Sequence, residues 1–187
     1  MRAFPIKKII TFLTLSIFAF AAQTGMAAEK KCPVSGEPVN PKCTLKYEGK
    51  THSFCCGKCR AKFDKELKAS LYHRIGGRKA INAAVDHFYK RVLADKSVNH
   101  FFEDVNMKRQ HNKQKAFLSA AFGGPIPWKG KDMRKAHKHL DLKESDFNAI
   151  AGHLQATLEA LKVKPELIKE AMAIAASTKD AVLNKKK

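Results

Sequence analysis

No cysteine occurs in the last 128 residues of this chain; all five lie between Cys32 and Cys59. That distribution excludes a disulfide framework for the C-terminal part and marks a boundary near residue 70. Strand patterning and internal repeats are missing from the same stretch, which excludes sheet-based and solenoid architectures there. Tryptophan occurs once, at Trp128. Acidic residues are scarce, 17 Asp and Glu against 36 Lys and Arg, for a formal net charge of +19. The first 28 residues hold three of the basic residues and none of the acidic ones, which leaves the remainder at +16. The lysines are scattered along polar helix faces and end in the Lys185–Lys187 tail, with no nucleic-acid motif among them. They read as a solvated basic surface and argue against a nucleic-acid partner.

What is present divides into three. Arg2, Lys7 and Lys8 precede the apolar run Ile9–Ala22, and QTGMAA follows it. A basic start, a short apolar stretch and a small-residue exit describe a secretory signal peptide over residues 1–28. The run is short for a membrane span, so cleavage near Ala27 or Ala28 is expected. Membrane association is expected only where the segment is retained. The expected location is the bacterial periplasm.

Residues 29–69 carry the cysteines. Thr44–Tyr47 and Thr51–Phe54 flank Glu48-Gly49-Lys50 as a hairpin, and Cys56–Lys68 reads as a helix. This ββα unit is too small to hold itself together on apolar burial alone. Cys32-Pro-Val-Ser-Gly followed by KYEGKTHSFCCGKC resembles a YHS domain or the related TRASH pattern, which implies a metal-binding module. Cys32, Cys55 and Cys59 follow the spacing C-x22-C-x3-C. Cys55 and Cys59 stand one helical turn apart, with Cys56 as an alternative fourth sulfur. Soft thiolates suit Cu(I) or Zn(II). A structural disulfide is the rival reading in an oxidising compartment, although five cysteines leave at least one unpaired. Cys43 and His52 are further candidate ligands.

From Ser70 onward the pattern is all-helical. Helices are expected over 78–95, 107–122, 132–140, 145–161 and 165–184, with Gly123-Gly124-Pro125 stopping the second. The stripe of the second helix runs Met107, Gln110, His111, Gln114, Phe117, Leu118, Ala121. Two glutamines occupy positions where Leu or Ile would pack without cost, and a buried amide lacking a partner costs about 1–3 kcal/mol. Tyr89 lies on the apolar face of the first helix with Ile81, Val85, Phe88, Val92 and Leu93. In the short helix, Met133, Ala136, His137 and Leu140 form the stripe, so His137 faces inward and His139 outward. A satisfied core histidine is the bland reading of His137. A bulky apolar cofactor with a polar reactive centre explains all four residues together, and haem fits that description.

The segments LYHRIGG, DHFYKRVLAD, FFEDVNM, FLSAAFGGP, KDMRKAH and FNAIAGHL resemble the group I truncated haemoglobins, in the family's order and approximate spacing over residues 70–182. Group II and III relatives place a Trp at the position matching Ile150, which favours group I. The glycine usual after the proximal helix is absent from HKHLDLK. The resemblance implies an all-α, two-over-two globin over residues 70–187 that holds haem b. It implies His137 as the proximal iron ligand, and Phe102, Phe117, Leu118, Trp128, Met133 and Ile150 as haem walls. Tyr89, Gln110 and Gln114 match the distal positions that contact a diatomic ligand. The function implied is binding of O₂, NO and CO, extending to oxygen carriage or NO dioxygenation supported by an outside electron donor. The alternative is metal handling or redox or O₂ sensing through the thiolate module.

Overall fold

A computed structural model describes residues 30–185, and the expected signal segment, residues 1–28, lies outside the described residues. Strands β1 (Asn40–Tyr47) and β2 (Lys50–Phe54) pair antiparallel, with Tyr47 opposite Lys50. Glu48 and Gly49 both take positive φ, 47° and 75°, the backbone that a tight two-residue hairpin turn demands. β1 begins four residues before the expected Thr44, and a register irregularity between Asn40 and Thr44 absorbs the added length. Helix α1 (Gly57–Ala69) follows, with Cys56 at its N-cap, and buries Leu67.

The rest is helical. α2 (Leu71–Arg74) starts at Ser70, whose hydroxyl accepts from the His73 N–H, and α3 (Gly77–Ala94) follows directly. A 3-10 turn over Asn99–Phe102 leads to α4 (Met107–Ala121), capped by the Asn106 side chain. α5 (Met133–His137), α6 (Glu144–Ala160), α7 (Pro165–Ser177) and α8 (Lys179–Val182) complete the chain. Two helices end earlier than their sequence pattern predicts. The short helix stops at His137 instead of residue 140, and Ala136 and Leu140 are exposed, so its inward stripe reduces to Met133 and His137. The last helix breaks at Thr178, whose hydroxyl and N–H both bond the Ala175 carbonyl at 2.7 and 3.0 Å. A side chain that competes for backbone acceptors in this way ends a helical run.

The core is centred on α3. Its buried residues Ile81, Ala84, Val85, Phe88, Tyr89 and Val92 meet Leu118 of α4, Leu154 and Leu158 of α6, and Leu167 and Ala171 of α7. α3 packs on α4 and on α6, and α6 packs on α7, which gives two helix pairs joined through α3 and α6. Each fully buried aliphatic contributes about 1.5–3 kcal/mol. Leu67, Leu71 and Tyr72 belong to the same cluster, so the cysteine-bearing segment shares its core with the helices.

Glu48 fastens that junction. Its carboxylate accepts from the Tyr72 hydroxyl at 2.6 Å and from the Arg78 N–H at 2.7 Å, while the Arg78 guanidinium also reaches the Glu48 carbonyl. Gly77, at φ +64°, lies against the carboxylate, and a methyl group there would run into Oε1. Only glycine supplies both that backbone and that space. Nearby, the Tyr47 hydroxyl and His73 Nδ1 share a hydrogen bond of 3.1 Å.

Candidate functional site

His137 is the final residue of α5, a five-residue helix started by Asp132, whose carboxylate accepts from the Lys135 N–H at 2.9 Å. The His137 ring is half-buried, and Nδ1 lies 2.8 Å from the Met133 carbonyl oxygen. A carbonyl only accepts, so Nδ1 carries the proton and Nε2 keeps its lone pair. That is the tautomer a metal-ligating imidazole requires, with its other nitrogen oriented by a backbone carbonyl. His139 is exposed.

Tyr89 is buried on α3, and burial pushes its phenol up to about 12. Its hydroxyl accepts from the Gln110 amide at 3.0 Å. The hydroxyl proton has no acceptor among the described residues, so the group remains a free donor. Phe102 meets the Tyr89 ring edge-on at 5.7 Å. Gln114, one turn beyond Gln110, is half-buried, and its amide makes no hydrogen bond among the described residues. The expected trio is therefore joined through Tyr89 and Gln110 alone. Phe117 and Ile150 are half-buried along the edge of the core, whereas Leu118 is buried within it. Trp128 is half-buried, donates its indole N–H to the Lys131 carbonyl at 3.0 Å and meets Phe117 edge-on at 5.7 Å. An imidazole with a free Nε2, half-covered aromatic and aliphatic faces, and a buried phenol able to donate make a donor set that fits haem.

Periodicity alone missed the neighbours of Tyr89. His111 stacks on its ring, with centroids 4.6 Å apart and planes at 19°. His111 Nδ1 bonds Asp86 Oδ1 at 3.0 Å, and the Lys115 ammonium lies 2.8 Å from the same oxygen. The Lys115 ammonium, and then the His111 bond, hold the Asp86 carboxyl below the usual carboxylate range. The available signal was Asp86 three residues before Tyr89 on α3, paired with a histidine on the stripe of α4.

The cysteines form a second constellation. The sulfurs of Cys32, Cys55 and Cys59 lie within 4.8 Å of one another, with Cys32 buried and the other two half-buried. Cys55 and Cys59 stand 3.5 Å apart, and exposed Cys56 lies 3.7 Å from Cys55. All five thiols are free. Desolvation opposes a Cys32 thiolate, but hydrogen bonds from the Cys55, Val34 and Ser35 backbone and the Ser35 hydroxyl outweigh it, drawing Cys32 down to about 6. The hydrogen bond with Cys55, aided by desolvation, pushes Cys59 up to about 12. Cys43 and His52 lie outside this cluster.

Residues 70–184 match the family described as bacterial-like globin. A group 1 truncated haemoglobin of Chlamydomonas moewusii is 51% identical over 122 residues, 64% of this chain and 71% of that protein. The truncated haemoglobin of Tetrahymena pyriformis, solved in the Fe(III) form, superposes with a TM-score of 0.59 at 42% identity, covering 61% of this chain and 97% of that one. The 2/2 haemoglobin of Synechococcus sp., solved in the cyanomet state with covalently attached haem, gives a TM-score of 0.60 at 41% identity, over 63% of this chain and all of that one. With these matches and the helical fold they share, the chain belongs to the bacterial-like globins as a group 1 truncated haemoglobin.

Proposed function

We propose that this protein holds haem b and binds O₂ and other diatomic ligands, NO and CO among them. The observation that carries the reading is the His137 tautomer, with Nδ1 committed to the Met133 carbonyl and Nε2 available. Haem supplies an iron atom that coordinates both an imidazole and a diatomic ligand. His137 would hold that iron, and Phe102, Phe117, Leu118, Trp128, Met133 and Ile150 would wall the macrocycle. Tyr89 donates a hydrogen bond to the polar ligand, Gln110 orients the Tyr89 hydroxyl, and Gln114 supplies a further donor. Low local dielectric strengthens such bonds. Oxygen carriage and conversion of NO to nitrate both fit this site, and the second requires an electron donor from outside the chain. The purified protein is expected to show a Soret band that shifts on reduction and again with CO. A haem-free protein that takes up no added haemin would overturn the reading.

A second reading concerns residues 29–69, as a YHS-like module that binds Cu(I) or Zn(II). The convergence of the Cys32, Cys55 and Cys59 sulfurs within 4.8 Å supports it, with Cys56 available as a fourth sulfur. Export to a bacterial periplasm, directed by residues 1–28, completes the reading.

A further inference from the structure

We infer that His111 is a positioning residue for Tyr89: held by Asp86, its imidazole lies flat on the phenol and sets the plane in which the Tyr89 hydroxyl donates. This inference rests on the haem reading above. Conjugation with the ring keeps a phenolic O–H in the ring plane, so the direction of donation follows the second side-chain torsion. That torsion is broad for an aromatic residue left to itself. Here one face of the ring is covered by His111 at 4.6 Å, with planes only 19° apart, while Phe88 and Phe102 meet it edge-on at 5.1 and 5.7 Å. Gln110, the residue before His111, engages the hydroxyl oxygen itself. Adjacent residues of α4 thus grip the phenol twice, one at the oxygen and one at the ring.

The imidazole is itself fixed from behind. Nδ1 donates to Asp86 Oδ1, and the same oxygen takes the Lys115 ammonium. Asp86 precedes Tyr89 by one turn on α3, and Lys115 follows His111 by one turn on α4. The closed path Tyr89, His111, Asp86 therefore ties the two helices at the point where the hydroxyl is aimed. His111 acts on the ligand only through Tyr89.

The test measures O₂ dissociation and the C–O stretching band of the CO-loaded haem protein. Four proteins are compared: native, His111→Ala, Tyr89→Phe, and the double variant. His111→Ala is expected to raise the O₂ off-rate about three- to tenfold, the range that loss of an aromatic stack supports. It should also move the C–O band toward that of Tyr89→Phe. In the Tyr89→Phe background, with no hydroxyl to aim, the same substitution should change the off-rate less than about twofold. Asp86→Asn, which keeps the ring and weakens its tether, should act in the same direction by a smaller factor and serves where His111→Ala folds poorly. An equal effect of His111→Ala in both backgrounds, or none where Tyr89→Phe alone raises the off-rate, overturns the inference and leaves the haem reading standing. Failure of the native protein to bind haem overturns both.

Discussion

A single proton decides what His137 can do. With Nδ1–H bound to the Met133 carbonyl, only Nε2 can ligate. His137→Ala should therefore lose most haem at the Soret band while far-UV circular dichroism holds, and exposed His139→Ala should change neither. Equal haem loss in the two variants would refute the assignment. On the haem reading Tyr89 would be the donor to the bound ligand, since its hydroxyl accepts from Gln110 and its proton has no acceptor among the described residues. A hydrogen bond to a charged group contributes about 1.5–3 kcal/mol, so Tyr89→Phe should raise the O₂ off-rate roughly 10- to 100-fold. Release of CO, which is less polar when bound, should change much less. Because the Gln110 amide donates to the Tyr89 hydroxyl, Gln110→Leu combined with Tyr89→Phe should give less than the sum of the separate effects. Stopped-flow and flash photolysis measure both quantities. Elsewhere, the Thr157 hydroxyl is fully buried without a hydrogen-bond partner among the described residues. Thr157→Val should raise stability in urea by about 1 kcal/mol, since it removes an unsatisfied polar group of similar shape.

Between elements, a few charged contacts fix the packing. Glu48 lies in the β1–β2 turn yet bonds Tyr72 of α2 and Arg78 of α3. Glu48→Ala should lower unfolding stability by about 1–3 kcal/mol, the scale of hydrogen bonds to a partly exposed charge. Burial works to raise the Glu48 carboxyl, but the Tyr72 hydroxyl and Arg78 prevail and hold it below the usual range. Asp95, at the C-cap of α3, is drawn to about 2 by the Ser97 hydroxyl and N–H and then by His153 of α6. Both folded values lie below the unfolded ones, near 4. Their contributions are therefore complete above about pH 4 and are lost as pH falls through the folded values. Acid titration of stability should show this loss between about pH 4 and 2, and Glu48→Gln with Asp95→Asn should flatten it. An unchanged acid limb in the double variant would contradict the role of both groups.

For the molecule as a whole, the cysteine-bearing segment and the globin helices are one packed body through Leu67, Leu71, Tyr72 and Glu48. Metal bound by the three converging sulfurs should therefore stabilise more than the hairpin. The reduced full-length protein is expected to bind about one Cu(I) or Zn(II) and to gain thermal stability. Cys32→Ser, Cys55→Ser and Cys59→Ser should each abolish tight binding, and Cys43→Ser should not. The Soret band should persist in all four variants. Mass spectrometry that finds a stable cysteine pair, with no metal taken up before or after reduction, would refute the thiolate site.

Helix periods and stop signals placed most elements within a residue or two, because periodicity and capping are local. They put Tyr89 on the buried face of α3, and they separated half-buried His137 from exposed His139. Cysteine spacing brought Cys55 and Cys59 together, since one helical turn is a local distance. Contacts across elements were decided by tertiary packing. The fold brings Cys32 to those two sulfurs, joins Tyr89 to Gln110 without Gln114, lays His111 on the phenol and seats Glu48 at the start of α3. The break at Thr178 went unread because a threonine in a periodic helix carries no mark of which carbonyl its hydroxyl will take. Periodicity states which face of an element is covered, but not which residue covers it. That choice depends on how the helices are set against one another, and helix packing angles and offsets follow from side-chain fit across the whole core.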